Sequence, residues 1–332
     1  MSSASVAVVA LGGTIAMTGD PAQGVSPELD ATALLESVPG LDAQDVTIAA
    51  ETLLARPSAS LTVDDLRELG EHITRVRAEH TGIVVTQGTD TLEETAFYLD
   101  LTIPPGAPVV VTGAMRNPTL AGADGPANLL AAIQVAASES ARDLGTLVVF
   151  NDEIHAARQV RKTHTTSTGA FTSPDVGPLG RVVEGVARLH RELSPTRTLE
   201  LTGRQPVNVP VLTSWLGDDG TLFEALAHGE PALDGAVVAA LGAGHVSAAF
   251  AERVGAFIAR TGVPVVLASR TGAGPVVRNT YGFAGSERDL LARGLISAGW
   301  LDPYKARLLL HLLLAARADR DRITRTFEQI AG

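Results

Sequence analysis

The chain has 332 residues, 45% hydrophobic, 19% charged and 4% aromatic, and its 26 Lys+Arg against 37 Asp+Glu leave a net charge of −11. That apolar share builds packed cores and excludes a disordered chain, while an acidic balance without a basic cluster excludes a phosphate-gripping nucleic-acid binder. With no cysteine, disulfides, thiol nucleophiles and thiolate-bound metals are excluded too.

The first apolar run, Val6–Leu11, is shorter than the roughly 7–15 residues of a signal-peptide core. No later run reaches the roughly 18 residues of a membrane span. A cytoplasmic protein with no membrane partner is therefore expected. Val6–Leu11 runs into Gly12-Gly13-Thr14. A helical pattern over Leu61–Glu79 carries Leu66, Leu69 and Ile73 on one side. Ile83–Val85 then runs into Thr86-Gln87-Gly88-Thr89-Asp90, and Thr91–Leu101 aligns Leu92, Ala96 and Leu99. Val109–Val111 ends in Thr112-Gly113-Ala114-Met115-Arg116 and precedes an Ala/Leu-rich helix over Gly125–Ser138. Leu147–Phe150 ends in Asn151-Asp152, after which residues 151–205 are rich in Arg, Thr, Gly and Pro with weak periodicity. Further strands are read near Val207–Leu212, Ala236–Leu241 and Pro264–Ala268, and a last helix from the cap Asp302 and Pro303 through Ala306–Ala316.

Continuous apolar runs suit strands buried on both faces of a parallel sheet. Their alternation with helices argues a doubly wound α/β fold, in which ligands sit at the carboxyl ends of the strands. The expected organisation is a larger N-terminal doubly wound α/β domain over 1–195, a linker over 196–206, and a smaller C-terminal α/β domain over 207–332.

The strand ends carry the chemistry. Gly12-Gly13-Thr14 reads either as a tight turn capped by Thr14 or as a hydroxyl nucleophile on a sharp turn, with backbone N–H groups free to hold an oxyanion. It is neither G-x-G-x-x-G nor a Walker loop. Asp90 and Glu93 have capping-box spacing, which accounts for Asp90 but not for Gly88-Thr89, where a glycine lets backbone approach a ligand. The basic residues comprise 24 Arg and two Lys, Lys162 and Lys305. Arginine cannot release its proton, so a surviving lysine raises the question of proton transfer. Lys162 reads as a solvated loop residue or as a base acting on a hydroxyl, Lys305 as a packing or charge-pair residue. Asp152, His155 and His164 lack metal-site spacing, and no metal or cofactor is expected.

Taken together, these segments resemble the bacterial-type L-asparaginase family, the threonine amidohydrolases. The matching segments are Leu11–Ala16, Gln87–Ala96, Gly113–Arg116, Ala123–Leu129, Arg161–Thr166, Gly177–Gly180 and Lys305–Leu309, in order along nearly the whole chain. The resemblance implies hydrolysis of L-asparagine to L-aspartate and ammonia, with room for a weaker glutaminase activity. It implies Thr14 as the nucleophile that forms a β-aspartyl ester, and Thr89, Asp90 and Lys162 as a second triad that moves protons. It implies Ser58 on the substrate α-carboxylate, Gly88, Thr89 and Ala114 as backbone contacts, and Asp90 on the α-ammonium. It also implies a homodimer or homotetramer with active sites at an intimate dimer interface. Two positions depart from the family. Val25 stands where a lid tyrosine is expected within Met17–Pro27, leaving water, Tyr98, Tyr281 or Tyr304 to take the Thr14 proton. Ala243 stands where a partner-subunit asparagine is expected, and the partner-subunit glutamate best matches Glu287. These departures motivate an alternative reading, a catalytically weak amino-acid-binding or sensing protein on the same fold.

Overall fold

The computed structural model describes residues 4–19, 26–27, 29–193, 198–200 and 203–331. The expected lid positions Gln23, Gly24 and Val25 and part of the expected linker lie outside the described residues. The chain forms two compact units, Met1–Leu199 and Glu200–Gly332.

The first unit is built on an eight-stranded mixed sheet. In chain order its strands are β1 (Ala4–Ala10), β2 (Val46–Thr52), β3 (Gly82–Thr86), β4 (Val109–Thr112), β5 (Thr146–Phe150), β6 (Glu153–Ala156), β7 (Gly180–Val183) and β8 (Val186–Leu189), and in space they run β8-β7-β6-β5-β4-β3-β1-β2. The segment β2-β1-β3-β4-β5 is wholly parallel, and β6, β7 and β8 extend it antiparallel. The helices are α1 (Ala31–Glu36), α2 (Val63–Val76), α3 (Leu92–Thr102) and α4 (Gly125–Ala136). Side chains alternate along a strand. Val6, Val8, Ala10, Val84, Val110, Leu147 and Val149 share one core with Leu34 of α1 and Leu129 and Ile133 of α4. The intervening Val9, Val85 and Val111 are equally buried and face the other way, and on that side α3 packs against β4 and β5. The sheet is thus wound on both faces. Chain direction in strand order reverses between β1 and β3, and their carboxyl ends open the crevice where such folds hold ligands.

Local chemistry fixes where α2 starts. Thr62 Oγ1 accepts from the Asp65 N–H at 3.2 Å, and Asp65 Oδ2 accepts from the Thr62 N–H at 2.8 Å. Such a cap contributes about 1 kcal/mol, and Arg56 adds a 3.0 Å ion pair to the same carboxylate.

The second unit has four parallel strands in sequential order, β9 (Val211–Thr213), β10 (Ala236–Ala240), β11 (Val265–Ser269) and β12 (Ile296–Ser297). Helices α5 (Thr221–Ala227), α6 (Ala248–Thr261) and α7 (Glu287–Ala292) connect them, followed by α8 (Pro303–Ala315) and α9 (Arg320–Ala331). Phe223 of α5 packs on Phe250 and Phe257 of α6, ring centroids 5.8 and 5.3 Å apart, over Val238 and Leu267. α8 packs against β10 and β11. Asp302 caps α8 and pairs with Lys305 Nζ at 3.1 Å, and that lysine is fully buried, so its role is the charge pair.

The helix after Asp302, expected to be the last, is not, because α9 follows with Ile323, Thr326 and Phe327 buried. Residues 151–205, where periodicity is weak, supply the short strands β6, β7 and β8 and a small antiparallel pair, Arg161–Lys162 with Phe171–Thr172. Among the described residues, no helix is long and apolar enough to cross a membrane.

Candidate active site

The parallel strands deliver the glycine and threonine segments to one edge of the first unit. β1 ends at Ala10, and the Leu11 N–H still bonds to Thr86 O of β3 at 2.8 Å, so the two strand ends leave the sheet together. Gly13 then adopts φ 87° and ψ −173°, a conformation restricted in practice to glycine. A Cβ there would lie 1.9 Å from the Gly88 nitrogen, so both loops meet through bare backbone. Thr14 follows immediately, half-buried, and opens the single 3₁₀ turn Thr14–Ala16. Gly13, not Thr14, is the cap of that turn, and no side-chain cap bond is made.

The second loop presents Thr89 and Asp90. Lys162 Nζ lies 2.9 Å from Thr89 Oγ1 and 2.9 Å from Asp90 Oδ1. A lysine ammonium has three donors, and these two bonds tie it to a hydroxyl and a carboxylate at once. Lys162 is mostly covered, whereas Asp90 reaches the surface. The solvated basic loop is therefore not what Lys162 occupies. The backbone of Lys162 belongs to the small antiparallel pair, where it is the register partner of Phe171, and Phe171 packs on Phe150 at the end of β5, centroids 4.7 Å apart.

The capping-box reading of Asp90 and Glu93 is corrected. The cap of α3 is Thr91, with no side-chain cap bond. Asp90 turns to Lys162 Nζ, and Glu93 Oε2 accepts the Lys162 backbone N–H at 2.5 Å.

Ser58, buried at 3% exposure, opens a short 3₁₀ turn. Its Oγ accepts the Asp90 N–H at 3.2 Å, its carbonyl accepts the Thr91 hydroxyl at 3.0 Å, and a Cβ on Gly88 would lie 2.5 Å from that Oγ. Ala114 is fully buried beside Ile15 across Gly125. Its loop is clamped by residues that the sequence reading gave no role. Asp124 accepts the N–H groups of Met115 and Arg116 at 3.0 and 2.8 Å, and Asn128 Nδ2 donates to Gly113 O at 3.0 Å. Asn128 Oδ1 also accepts the Asn151 N–H at 2.9 Å, joining the loops after β4 and β5. The signal was available, since Asp124 and Asn128 fall inside one of the matching segments. Thr14, Ser58, Gly88, Thr89, Asp90, Ala114 and Lys162 all lie in the first unit.

The remaining candidates lie elsewhere. Tyr98 is buried with its ring against Gly70 of α2, and Tyr281 and Tyr304 are in the second unit. Glu287 is fully buried. Its Oε1 accepts the Thr280 and Tyr281 N–H groups at 2.8 Å each, and its Oε2 faces His245 Nε2 at 3.4 Å. Burial alone would raise the Glu287 carboxyl, and the backbone donors of Tyr281, Glu287 itself and Thr280, with His245 nearby, hold it below its ordinary value. Within the described unit that carboxylate is committed to the 280–281 turn. Among the described residues no group of three His, Asp or Glu gathers as a metal site.

The chain is thus an α/β protein of two units whose first unit gathers a hydroxyl, a carboxylate and a lysine at its strand ends. The model of an N-terminal asparaginase domain matches residues 5–195, and that of a glutaminase/asparaginase C-terminal domain matches residues 208–327. The chain is 39% identical to the "Probable L-asparaginase" of Deinococcus radiodurans, over 98% of this chain and 97% of that protein. It is 34% identical to "L-asparaginase 2" of Bacillus subtilis, over 98% and 86%. The crystal structure of the probable cytoplasmic L-asparaginase from Campylobacter jejuni superposes with a TM-score of 0.84 at 33% identity, covering 98% of this chain and 99% of that one. The chain belongs to the bacterial-type L-asparaginase family.

Proposed function

We propose that this protein is an L-asparaginase that hydrolyses L-asparagine to L-aspartate and ammonia through an ester on Thr14. The carrying observation is the 2.9 Å contact of Lys162 Nζ with both Thr89 Oγ1 and Asp90 Oδ1, on the loop whose Gly88 backbone packs against Gly13, next to Thr14. The Thr14 oxygen attacks the side-chain amide carbon, the C–N bond breaks, and the amide nitrogen leaves as ammonia with the proton given up by the Thr14 hydroxyl. Water then attacks the ester, its proton passing through Thr89 Oγ1 to a Lys162 amine that has shared its own proton with Asp90; the acyl C–O bond to Thr14 breaks, and the Thr14 oxygen regains a proton as L-aspartate leaves. Ser58 and Asp90 take the substrate α-carboxylate and α-ammonium, and the backbone at Gly88, Thr89 and Ala114 lines the reacting amide. Weaker glutaminase activity belongs to the same reading, in keeping with the C-terminal family model that names both amides.

The enzyme works in the cytoplasm as a homodimer or homotetramer with sites at an intimate dimer interface. Support for the compartment comes from the Campylobacter jejuni relative, and support for the assembly from family membership. Support for a linker over 196–206 comes from the division of the chain between Leu199 and Glu200.

Ammonia release from L-asparagine and from L-glutamine by the wild type, Thr14→Ala and Lys162→Arg tests this reading. Lys162→Arg keeps the charge but cannot release a proton. The expected result is turnover by the wild type with L-asparagine preferred, and collapse in both variants. A wild type that binds L-aspartate without turning over either amide overturns it in favour of a binding protein.

A further inference from the structure

We infer that Glu93 is a positioning residue for the active-site lysine, acting through the Lys162 backbone rather than its side chain. Lys162 sits on a two-residue strand with one ladder partner, Phe171–Thr172. Its own N–H is bonded not to a strand but to Glu93 Oε2, at 2.5 Å. Glu93 is a carboxylate at 8% exposure in the first turn of α3, where the helix dipole favours negative charge. The same five residues, Thr89 to Glu93, therefore hold both ends of Lys162. Glu93 holds the main-chain amide, and Thr89 and Asp90 hold Nζ. A four-carbon side chain fixed at its root and its tip keeps its amine in line with the Thr89 hydroxyl. Freed at the root, the amine loses that alignment, although Lys162, Thr89 and Asp90 are all still present.

This inference rests on the asparaginase reading, and the experiment separates the two. Asparagine turnover is measured for the wild type, Glu93→Gln, Glu93→Asp and Glu93→Ala, with kcat and KM on the folded fraction and Tm for each. The glutamine carbonyl reaches the same N–H, whereas aspartate keeps the charge but is one methylene short. The expected result is a kcat within about tenfold of wild type for Glu93→Gln, and losses of about 10²-fold for Glu93→Asp and Glu93→Ala with KM little changed, the size expected from a misplaced catalytic group. An active Glu93→Asp beside an inactive Glu93→Gln makes charge, not reach, the requirement and overturns the inference. So does a full set of variants that lowers Tm while leaving kcat within twofold. A silent wild type brings down the asparaginase reading itself.

Discussion

Gly13 and Gly88 meet without side chains, and a single methyl group on Gly13 would lie 1.9 Å from the Gly88 nitrogen. This contact sets the loop that carries Thr14 against the loop that carries Thr89. Gly13 also holds a backbone conformation that costs other residues about 1–3 kcal/mol. Gly13→Ala is expected to lower stability by at least that amount and to cut kcat by about 10²-fold or more, since the two loops must separate. Denaturant midpoints and steady-state rates measure both. A variant with wild-type kcat contradicts the contact.

His155 gives the fold an acid-sensitive point. It is fully buried on β6, with Nδ1 3.0 Å from Ser173 Oγ and Nε2 3.5 Å from Glu153. Burial first, and the positive Arg181 second, lower it from 6.5 to about 4. The unfolded chain then binds the proton more readily between these two values. The contribution of His155 is therefore full above about pH 6.5 and is lost as pH falls toward 4, about 3 kcal/mol in all. In His155→Gln the fall in Tm between pH 6.5 and pH 4 is expected to be shallower than in the wild type. Parallel curves contradict the assignment.

Lys305 tests the buried ion pair of the second unit. Its Nζ lies 3.1 Å from Asp302 Oδ2, and both side chains are almost wholly buried. Removing Lys305 takes the opposite charge away from a buried carboxylate, a loss that costs about 3–5 kcal/mol. Lys305→Met, which keeps the stem volume, is expected to lose that much in equilibrium unfolding. A loss below about 1 kcal/mol contradicts a charge-pair role.

Ser58 is expected to act on binding more than on chemistry. A hydrogen bond to a charged group contributes about 1.5–3 kcal/mol, so Ser58→Ala should raise KM for L-asparagine about tenfold or more. A change in kcat alone would assign Ser58 to orienting Asp90, whose N–H it accepts at 3.2 Å.

Much of the frame was legible because its strands are buried on both faces. Val6–Ala10, Ile83–Val85, Val109–Val111 and Leu147–Phe150 read as apolar runs, and each lies in a fully buried stretch of strand. The edge strand Val46–Thr52 is largely exposed and left no such run. The strands of residues 151–205 span only two to four residues each, too few for a period to appear. The site was legible as strand ends and motifs, but not as contacts. Asp90 and Glu93 have the spacing of a cap, yet their partner is Lys162, roughly 70 residues away along the chain, and local spacing holds no record of such a contact. Glu287 likewise offered a carboxylate by position, and packing turned it inward onto Thr280 and Tyr281.

Thr14, and not Thr89, is the residue proposed to carry the acyl group. Acid quenching of the enzyme during L-asparagine turnover, followed by proteolysis and mass measurement of the peptides, reads this directly. A β-aspartyl adduct is expected on the peptide containing Thr14 and is expected to be lost in Thr14→Ala. An adduct on Thr89 in the actively turning-over enzyme would contradict it.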